Sequence, residues 1–434
     1  MCLCDPILFF SGSSFQYRVW STCENDDICR KALAAHAEGS KAEHSFRDIT
    51  HRVDKDTLNN LKLAQECHRS NLQSELASLG PRWGQKHRQN RRSLITKHSW
   101  LFFDEAVTIL KGPDVEFQIS DECTYKQSKC FVYPTRPYAT GHIHLEIGGN
   151  TCVPWSTANR DAMGWLDPLS LACLIWFASL TQVKPHAILC ECVPGFPVRA
   201  FDAFFEGFTC KSVVLDAVAF GLPIQRPRRW TFLINKEYGQ PMVDLTAKTI
   251  ARLVGREVAA DGTMFLQATP DMVKRHMDCM AADNKQLPPR VDGKSFSCMS
   301  VMTTSDRLRF QSVLDDAEER GKPQQLFWDV SQSKDRPRCS MKYVPCLMKK
   351  SLIFCTQEKR VLLPVEQLCC QCVPILLPVG SRFASFAPFE MDYLMKMSQR
   401  EVRQIAGNAM VMPVAGTMIM LLLMLTDWNS NVFP

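Results

Sequence analysis

Between residues 141 and 235, short apolar runs alternate with a helical one, and each apolar run begins or ends on a reactive or charged side chain. This restricts the folds open to the chain more than anything else in it. "GHIHLEIGG" reads as a strand feeding the turn "NTCVPWS", which places Cys152 where the backbone must bend and a side chain is presented rather than packed. "LSLACLIWFASLTQ" reads as a buried helix, and "PHAILCECV" as an apolar strand that ends on Glu191. "SVVLDAVAFGLP" leads to "QRPRRWTFLIN", a strand with Arg226 and Arg228 at its entrance. Strand–helix–strand alternation with chemistry at the strand ends predicts an α/β fold built on a doubly wound, mostly parallel sheet. In such sheets ligands lie outside the carboxyl ends of the strands.

The first fifty residues repeat the pattern in shorter form. "PILFF" and "YRVWSTCE" read as strands, "NDDICRKALAAHA" as a capped helix, and "HSFRDIT" as a third strand closing on Asp48. Residues 51–140 break the rhythm and are read as a helical and basic insertion. "DKDTLNNLKLAQECHRSNLQSELASLG" has helical periodicity. The basic run "PRWGQKHRQNRRSL" after it reads as a solvated loop, an import signal or a direct contact with nucleic acid. From 241 to 355 the sequence is irregular, which suits a smaller, loop-rich second domain.

Twenty cysteines in 434 residues suggest a disulfide scaffold, but the length and spacing fit a reducing compartment better. Cys369, Cys370 and Cys372, like Cys190 and Cys192, do not make a zinc-knuckle pattern, and His142 with His144 gives only two donors, so no metal is expected. The net charge of +6 is compatible with nucleic acid without requiring it. The uncharged run Ala409 to Leu425 falls short of the roughly 20 residues a membrane span prefers, and it contains Pro413 and Gly416. It reads as a buried helix, and no membrane partner is expected.

Cys152, Glu191 and the arginines, brought to neighbouring strand ends, would share one cleft. A thiolate nucleophile needs partial exposure and a nearby positive charge, and a carboxylate beside it can hold or protonate a ring nitrogen. At these residues the chain resembles the DNA (cytosine-5) methyltransferase family. "GGNTCVPWS" is similar to the family's Gly-Gly-Pro-Pro-Cys-x-x-x-Ser loop, with Cys152 and Ser156 in register. "KPHAILCECV" resembles the strand ending Glu-Asn-Val, and "LPIQRPRR" the Pro-x-x-Arg-x-Arg motif at Pro223, Arg226 and Arg228. "RVLLPVEQ" looks like Arg-x-Leu-x-Pro-x-Glu at Arg360, Leu362, Pro364 and Glu366, and "GNAMVMP" like the closing Gly-Asn-x-Val-Pro at Gly407 and Asn408.

The resemblance implies a Rossmann-like, S-adenosylmethionine-dependent methyltransferase with a smaller target-recognition domain. It implies that a flipped cytosine in DNA is methylated at carbon 5 through a covalent cysteine adduct. Cys152, Glu191, Arg226 and Arg228 would be catalytic, and Gly12, Glu24, Asp48 and Asn408 would bind S-adenosyl-L-methionine. Residues 1–50 would be a shortened cofactor-binding half, 51–140 the insertion, 141–240 the catalytic half, 241–385 the target-recognition region, and 386–434 a segment packing back on the catalytic domain. DNA is the expected partner, with RNA also open, and the nucleus the expected location, with the cytoplasm open. The alternatives are an RNA (tRNA) cytosine-5 methyltransferase and a cofactor-deficient relative that binds nucleic acid or a partner. The chain departs from the family at three places. Only Gly12 remains of the first glycine motif, twelve residues before Glu24 where about 20 is usual. Thr151 stands for a proline, and Cys192 for an asparagine.

Overall fold

A computed structural model describes residues 18–34, 42–79, 85–134, 141–157, 159, 161–285, 300–319, 325–332, 338–373, 375, 396–430 and 432. The strand expected at 6–10 and Gly12 lie outside these residues. In chain order the elements begin with β1 (Ser21–Cys23), α1 (Asp27–Ala34), β2 (His44–Phe46), α2 (Lys55–Ser78) and α3 (Gln85–Leu110). They continue with β3 (Ser120–Cys123), β4 (Ser128–Phe131), β5 (Leu145–Gly149), α4 (Ser170–Val183) and β6 (Ala187–Cys192). Next come α5 (Arg199–Phe204), β7 (Phe208–Leu215), β8 (Arg228–Asn235), β9 (Gly239–Pro241), α6 (Ala247–Val254), α7 (Pro270–Asp283) and α8 (Thr304–Glu319). The chain closes with β10 (Phe327–Asp329), β11 (Arg338–Ser340), β12 (Ile353–Cys355), β13 (Arg360–Val361), α9 (Pro364–Cys370), α10 (Gln399–Asn408), α11 (Met412–Met424) and β14 (Thr426–Trp428).

The central sheet has the order β5-β6-β8-β7. β5 and β6 pair in parallel, while β8 runs antiparallel to both β6 and β7. Three of the four strands therefore share a direction, and the strand between β6 and β7 is reversed. β1 and β2 form a separate parallel pair among the described residues.

Both faces of the central sheet are covered, as expected of a sheet built by helical crossovers. The period-2 alternation of β6 decides what goes where. Ile188, Cys190 and Cys192 enter a core shared with α2, α3, α4 and α5. Ala187 and Leu189 enter a second core with Trp230, Phe232 and Ile234 of β8 and with α11. A third core joins α7, β10, β12, α9 and α10.

α2 starts where Asp54 accepts from the Thr57 backbone N–H at 2.8 Å. It pairs with α3 as a hairpin in which His68 meets Glu105 and Lys97 meets Glu75. The basic run read as a loop is thus, from Lys86 onward, the first turns of a 26-residue helix. Its apolar anchors, Phe102, Phe103, Ala106 and Leu110, fall in the second half, so the first half carries no amphipathic signal.

The stretch Gln399–Met424 is apolar and long enough to cross a membrane by length and composition. It is broken after Asn408, and Val414, Met418, Ile419 and Leu422 of α11 fill the second core.

Candidate functional site

The site begins with a close approach at the end of β5. A Cβ at Gly148 would lie 2.1 Å from the Trp176 ring, so only glycine lets α4 pack there. Gly149 is paired with Glu191, and the Asn150 N–H donates to the Glu191 carbonyl at 3.1 Å. Cys152 follows as the residue before a single 3-10 turn, Val153–Trp155. Trp155 anchors that turn against Trp165 and Phe196, with ring centroids 4.9 and 4.7 Å away. The turn is held and its first side chain is left outside: Cys152 is exposed, while Cys190 and Cys192 on the neighbouring strand are buried.

Burial, reinforced by the Glu191 charge, pushes the Cys192 thiol well above its ordinary pKa. It remains a thiol and contacts the Asn150 carbonyl at 3.9 Å. The Asn150 amide in turn donates to Cys190 Sγ at 3.1 Å. Asn150 thus ties the turn to β6 from the β5 side.

Glu191 and Arg228 face each other because of strand parity. Glu191 points to the same side of β6 as Ala187 and Leu189, and Arg228 to the same side of β8 as Trp230 and Phe232. Arg228 Nε lies 2.9 Å from Glu191 Oε1, with both side chains about nine-tenths buried. Burial opposes the arginine's charge, but Cys346, Glu191 and Cys152 hold its pKa above the ordinary value. Arg229, of opposite parity, turns away and donates to the Pro194 carbonyl at 2.7 Å.

Arg226 occupies a different place from the one expected of a substrate-binding group. Its guanidinium is buried and donates to the carbonyls of Leu347 at 3.0 Å, Ala409 at 2.7 Å and Gly407 at 3.3 Å. Burial and the neighbouring Arg228 lower its pKa. With both terminal guanidinium nitrogens donating to backbone carbonyls, Arg226 joins segments together. The next residue in the closing segment, Asn408, donates its side-chain amide to Cys29 Sγ of α1 at 3.3 Å. The Gly407–Ala409 backbone therefore bridges the central sheet to the unit carrying Glu24.

Glu24 and Asp48 lie just past the carboxyl ends of the paired strands β1 and β2, and the Glu24 N–H donates to the Phe46 carbonyl at 3.1 Å. Glu24 accepts from the Asp26 N–H at 2.9 Å, and Asp48 from the Thr50 N–H at 2.9 Å. The structure thus brings together Cys152, Glu191 and Arg228 in one group and Glu24 and Asp48 in another, with Arg226 and Asn408 on the link.

Arg360 and Glu366 form a buried double ion pair, 2.7 Å at each contact, and Glu366 also accepts from the Leu363 and Ala268 N–H groups. These motif residues hold α9 in place. Sequence reasoning missed Cys346, whose sulfur lies 3.8 Å from Arg228 Nη1. It belongs to a strip that reaches the site through pairing of Val344 with Ile224, and nothing local in "YVPCLMKK" announces that pairing.

No family model matches the chain, and no curated protein does. Among solved structures it is similar to the Entamoeba histolytica methyltransferase EhMeth, at 13% identity and TM-score 0.38, over 64% of this chain and 77% of that one. It is also similar to the S. pombe Dnmt2 methyltransferase, at 14% identity and TM-score 0.33, over 64% and 77% of the two chains. A DNA modification methyltransferase encoded within an E. coli prophage matches at 15% identity and TM-score 0.37, over 64% and 79%. These likenesses are remote.

Proposed function

We propose that this chain transfers a methyl group from S-adenosyl-L-methionine to carbon 5 of cytosine in DNA. The observation that carries the reading is the exposed Cys152 on an anchored turn, beside the buried Glu191–Arg228 pair on the adjacent strands. Cys152 would attack carbon 6 of a cytosine taken out of the stack. Glu191, oriented by Arg228, would hold nitrogen 3 and the exocyclic amine and neutralise the charge that develops in the ring. Once carbon 5 has taken the methyl group, loss of its proton to a solvent base would break the carbon 6–sulfur bond and restore the Cys152 thiolate. Arg226 serves as a positioning residue in this scheme.

The methyl donor supplies an electrophilic methyl group. Glu24 and Asp48, carboxylates at the ends of adjacent parallel strands, suit the diol and amine donors of an adenosine. Asn408 and Gly12 complete the set by resemblance alone. In the domain reading, 1–50 and 141–240 make the catalytic unit, 241–385 reads the target, and 386–434 closes the core. The 51–140 stretch adds a basic helix beside the site: Arg91 Nη2 is 3.4 Å from Asp161 in the loop after Cys152, and Lys86, Arg88 and Arg92 are exposed. A nuclear location follows from the proposed substrate.

The test uses the purified full chain with duplex DNA carrying 5-fluorocytosine, where fluorine at carbon 5 blocks the elimination. With S-adenosylmethionine present, a covalent protein–DNA species dependent on Cys152 is expected. A parallel tRNA substrate separates the RNA alternative. Calorimetric titration of the cofactor against wild type and Glu24→Ala reports binding independently. Binding absent at millimolar cofactor would overturn the catalytic reading.

A further inference from the structure

A second group of reactive side chains lies away from Cys152, where β2 meets the β3–β4 hairpin. A ring nitrogen of His44 and the sulfurs of Cys123 and Cys130 all lie within 4.8 Å of one another. His44 and Cys123 are buried, and Cys130 is half-buried. His44 Nδ1 is shut off from solvent without a hydrogen-bond partner among the described residues, although a buried ring nitrogen normally has one.

We propose that His44, Cys123 and Cys130 bind a zinc ion that fastens the β3–β4 hairpin to β2. The donor set favours this class of ion, since two thiolates and an imidazole select zinc over magnesium or calcium, which take oxygen. The spacing is close to what zinc needs: bonds of about 2.3 Å to sulfur and about 2.0 Å to nitrogen put tetrahedral donors roughly 3.5–3.8 Å apart. Closing from 4.8 Å takes small side-chain shifts.

The hairpin presents both cysteines on one face. Cys123 is paired with Ser128, and Cys130 lies two residues further along the same strand. The backbone around the cluster is already organised: Thr124 donates to the Ser45 carbonyl from its N–H at 2.7 Å and its hydroxyl at 3.1 Å. Ser128 and Lys129 are exposed, which gives an ion a way in. Three protein donors leave one position for a solvent oxygen or a further side chain. Cys23 of β1 packs against the small core of Phe46, Cys123 and Val132 next to it.

A zinc at this point would tie the 51–140 stretch to β2 just before Asp48. The proposal does not depend on the methyl-transfer reading, and its test does not use activity. Full-length protein purified from zinc-supplemented cells is analysed by elemental mass spectrometry. About one zinc per chain is expected, falling at least tenfold in Cys123→Ser/Cys130→Ser and in His44→Ala. Cobalt substitution should give a thiolate-to-metal absorption that the double variant lacks.

Should the variants fail to fold, alkylation mapping on wild type replaces them. Cys123 and Cys130 should be protected with metal bound and reactive once a chelator has removed it, while exposed Cys67, Cys152 and Cys279 react in both states. Zinc well below stoichiometry, uptake unchanged in the variants, a Cys123–Cys130 disulfide in protein kept reduced, or labelling indifferent to the chelator would each overturn the proposal.

Discussion

Arg228 Nε lies 2.9 Å from Glu191 Oε1, and the two side chains reach each other from neighbouring strands because both fall on the α11 side of the central sheet. Neither is placed to stand alone. Arg228→Ala would leave a carboxylate nine-tenths buried without its partner, and removing one member of such a pair costs about 3–5 kcal/mol. Glu191→Gln keeps the volume and loses the charge. We expect it to fold and to slow methyl transfer by about 10²–10⁴-fold. Single-turnover rates and urea unfolding on both variants separate the two effects.

Cys152 supports no core, so Cys152→Ser should change stability by less than about 0.5 kcal/mol. The same variant should form no adduct with 5-fluorocytosine DNA and show no turnover. Loss of folding with the adduct retained would reverse the assignment.

Arg226 is expected to behave differently from Arg228. Its guanidinium satisfies the Leu347, Gly407 and Ala409 carbonyls, so Arg226→Ala should lower stability by several kcal/mol, about 1–3 for each buried acceptor left unpaired. Gly407→Ala attacks the same junction sterically, because its Cβ would lie 2.4 Å from the Lys349 nitrogen. A loss of about 1–3 kcal/mol is expected there. Chemical denaturation measures both, and an unchanged midpoint for Gly407→Ala would show that the junction yields.

The exposed basic turns of α3 make a quantitative prediction about nucleic acid. Replacing Arg88, Arg91 and Arg92 with alanine should weaken DNA binding without regard to sequence. It should also flatten the slope of log affinity against log salt by about 0.9 for each phosphate that is no longer neutralised. Fluorescence anisotropy at several salt concentrations gives the slope. An unaltered slope would mean that α3 faces away from the duplex.

His276 offers a pH test that is independent of catalysis. Burial, together with nearby Arg403, lowers its pKa to about 4, and its Nδ1 contacts Gln399 Oε1 at 3.0 Å. The folded protein therefore holds this ring neutral while the unfolded chain protonates it near 6.5. Its contribution is fully present above about pH 6.5 and is lost as pH falls toward 4, reaching about 3 kcal/mol in all. His276→Gln should flatten that part of the stability profile, measured by urea midpoints from about pH 4 to 7.

By itself the sequence determined three strands of the central sheet and what stands at their ends, but not β7, the β3–β4 hairpin or the strands beyond residue 240. Apolar runs a few residues long, bounded by turn residues, sufficed to mark β5, β6 and β8, and with them Cys152, Glu191 and Arg228. Those are local properties, set by alternation and by where the backbone must turn. Tertiary structure decided the rest. It reversed β8 between β6 and β7, and it turned Arg226 onto carbonyls more than a hundred residues away. It brought Cys346 against Arg228, and His44 against two cysteines of a hairpin in the 51–140 stretch. The basic run became a helix only because Phe102, Phe103 and Leu110, further along, found a core to enter. The physical reason is common to these cases: a side chain's period along the chain records which face it occupies, but its partner on that face is chosen by packing between segments whose separation leaves no periodic trace.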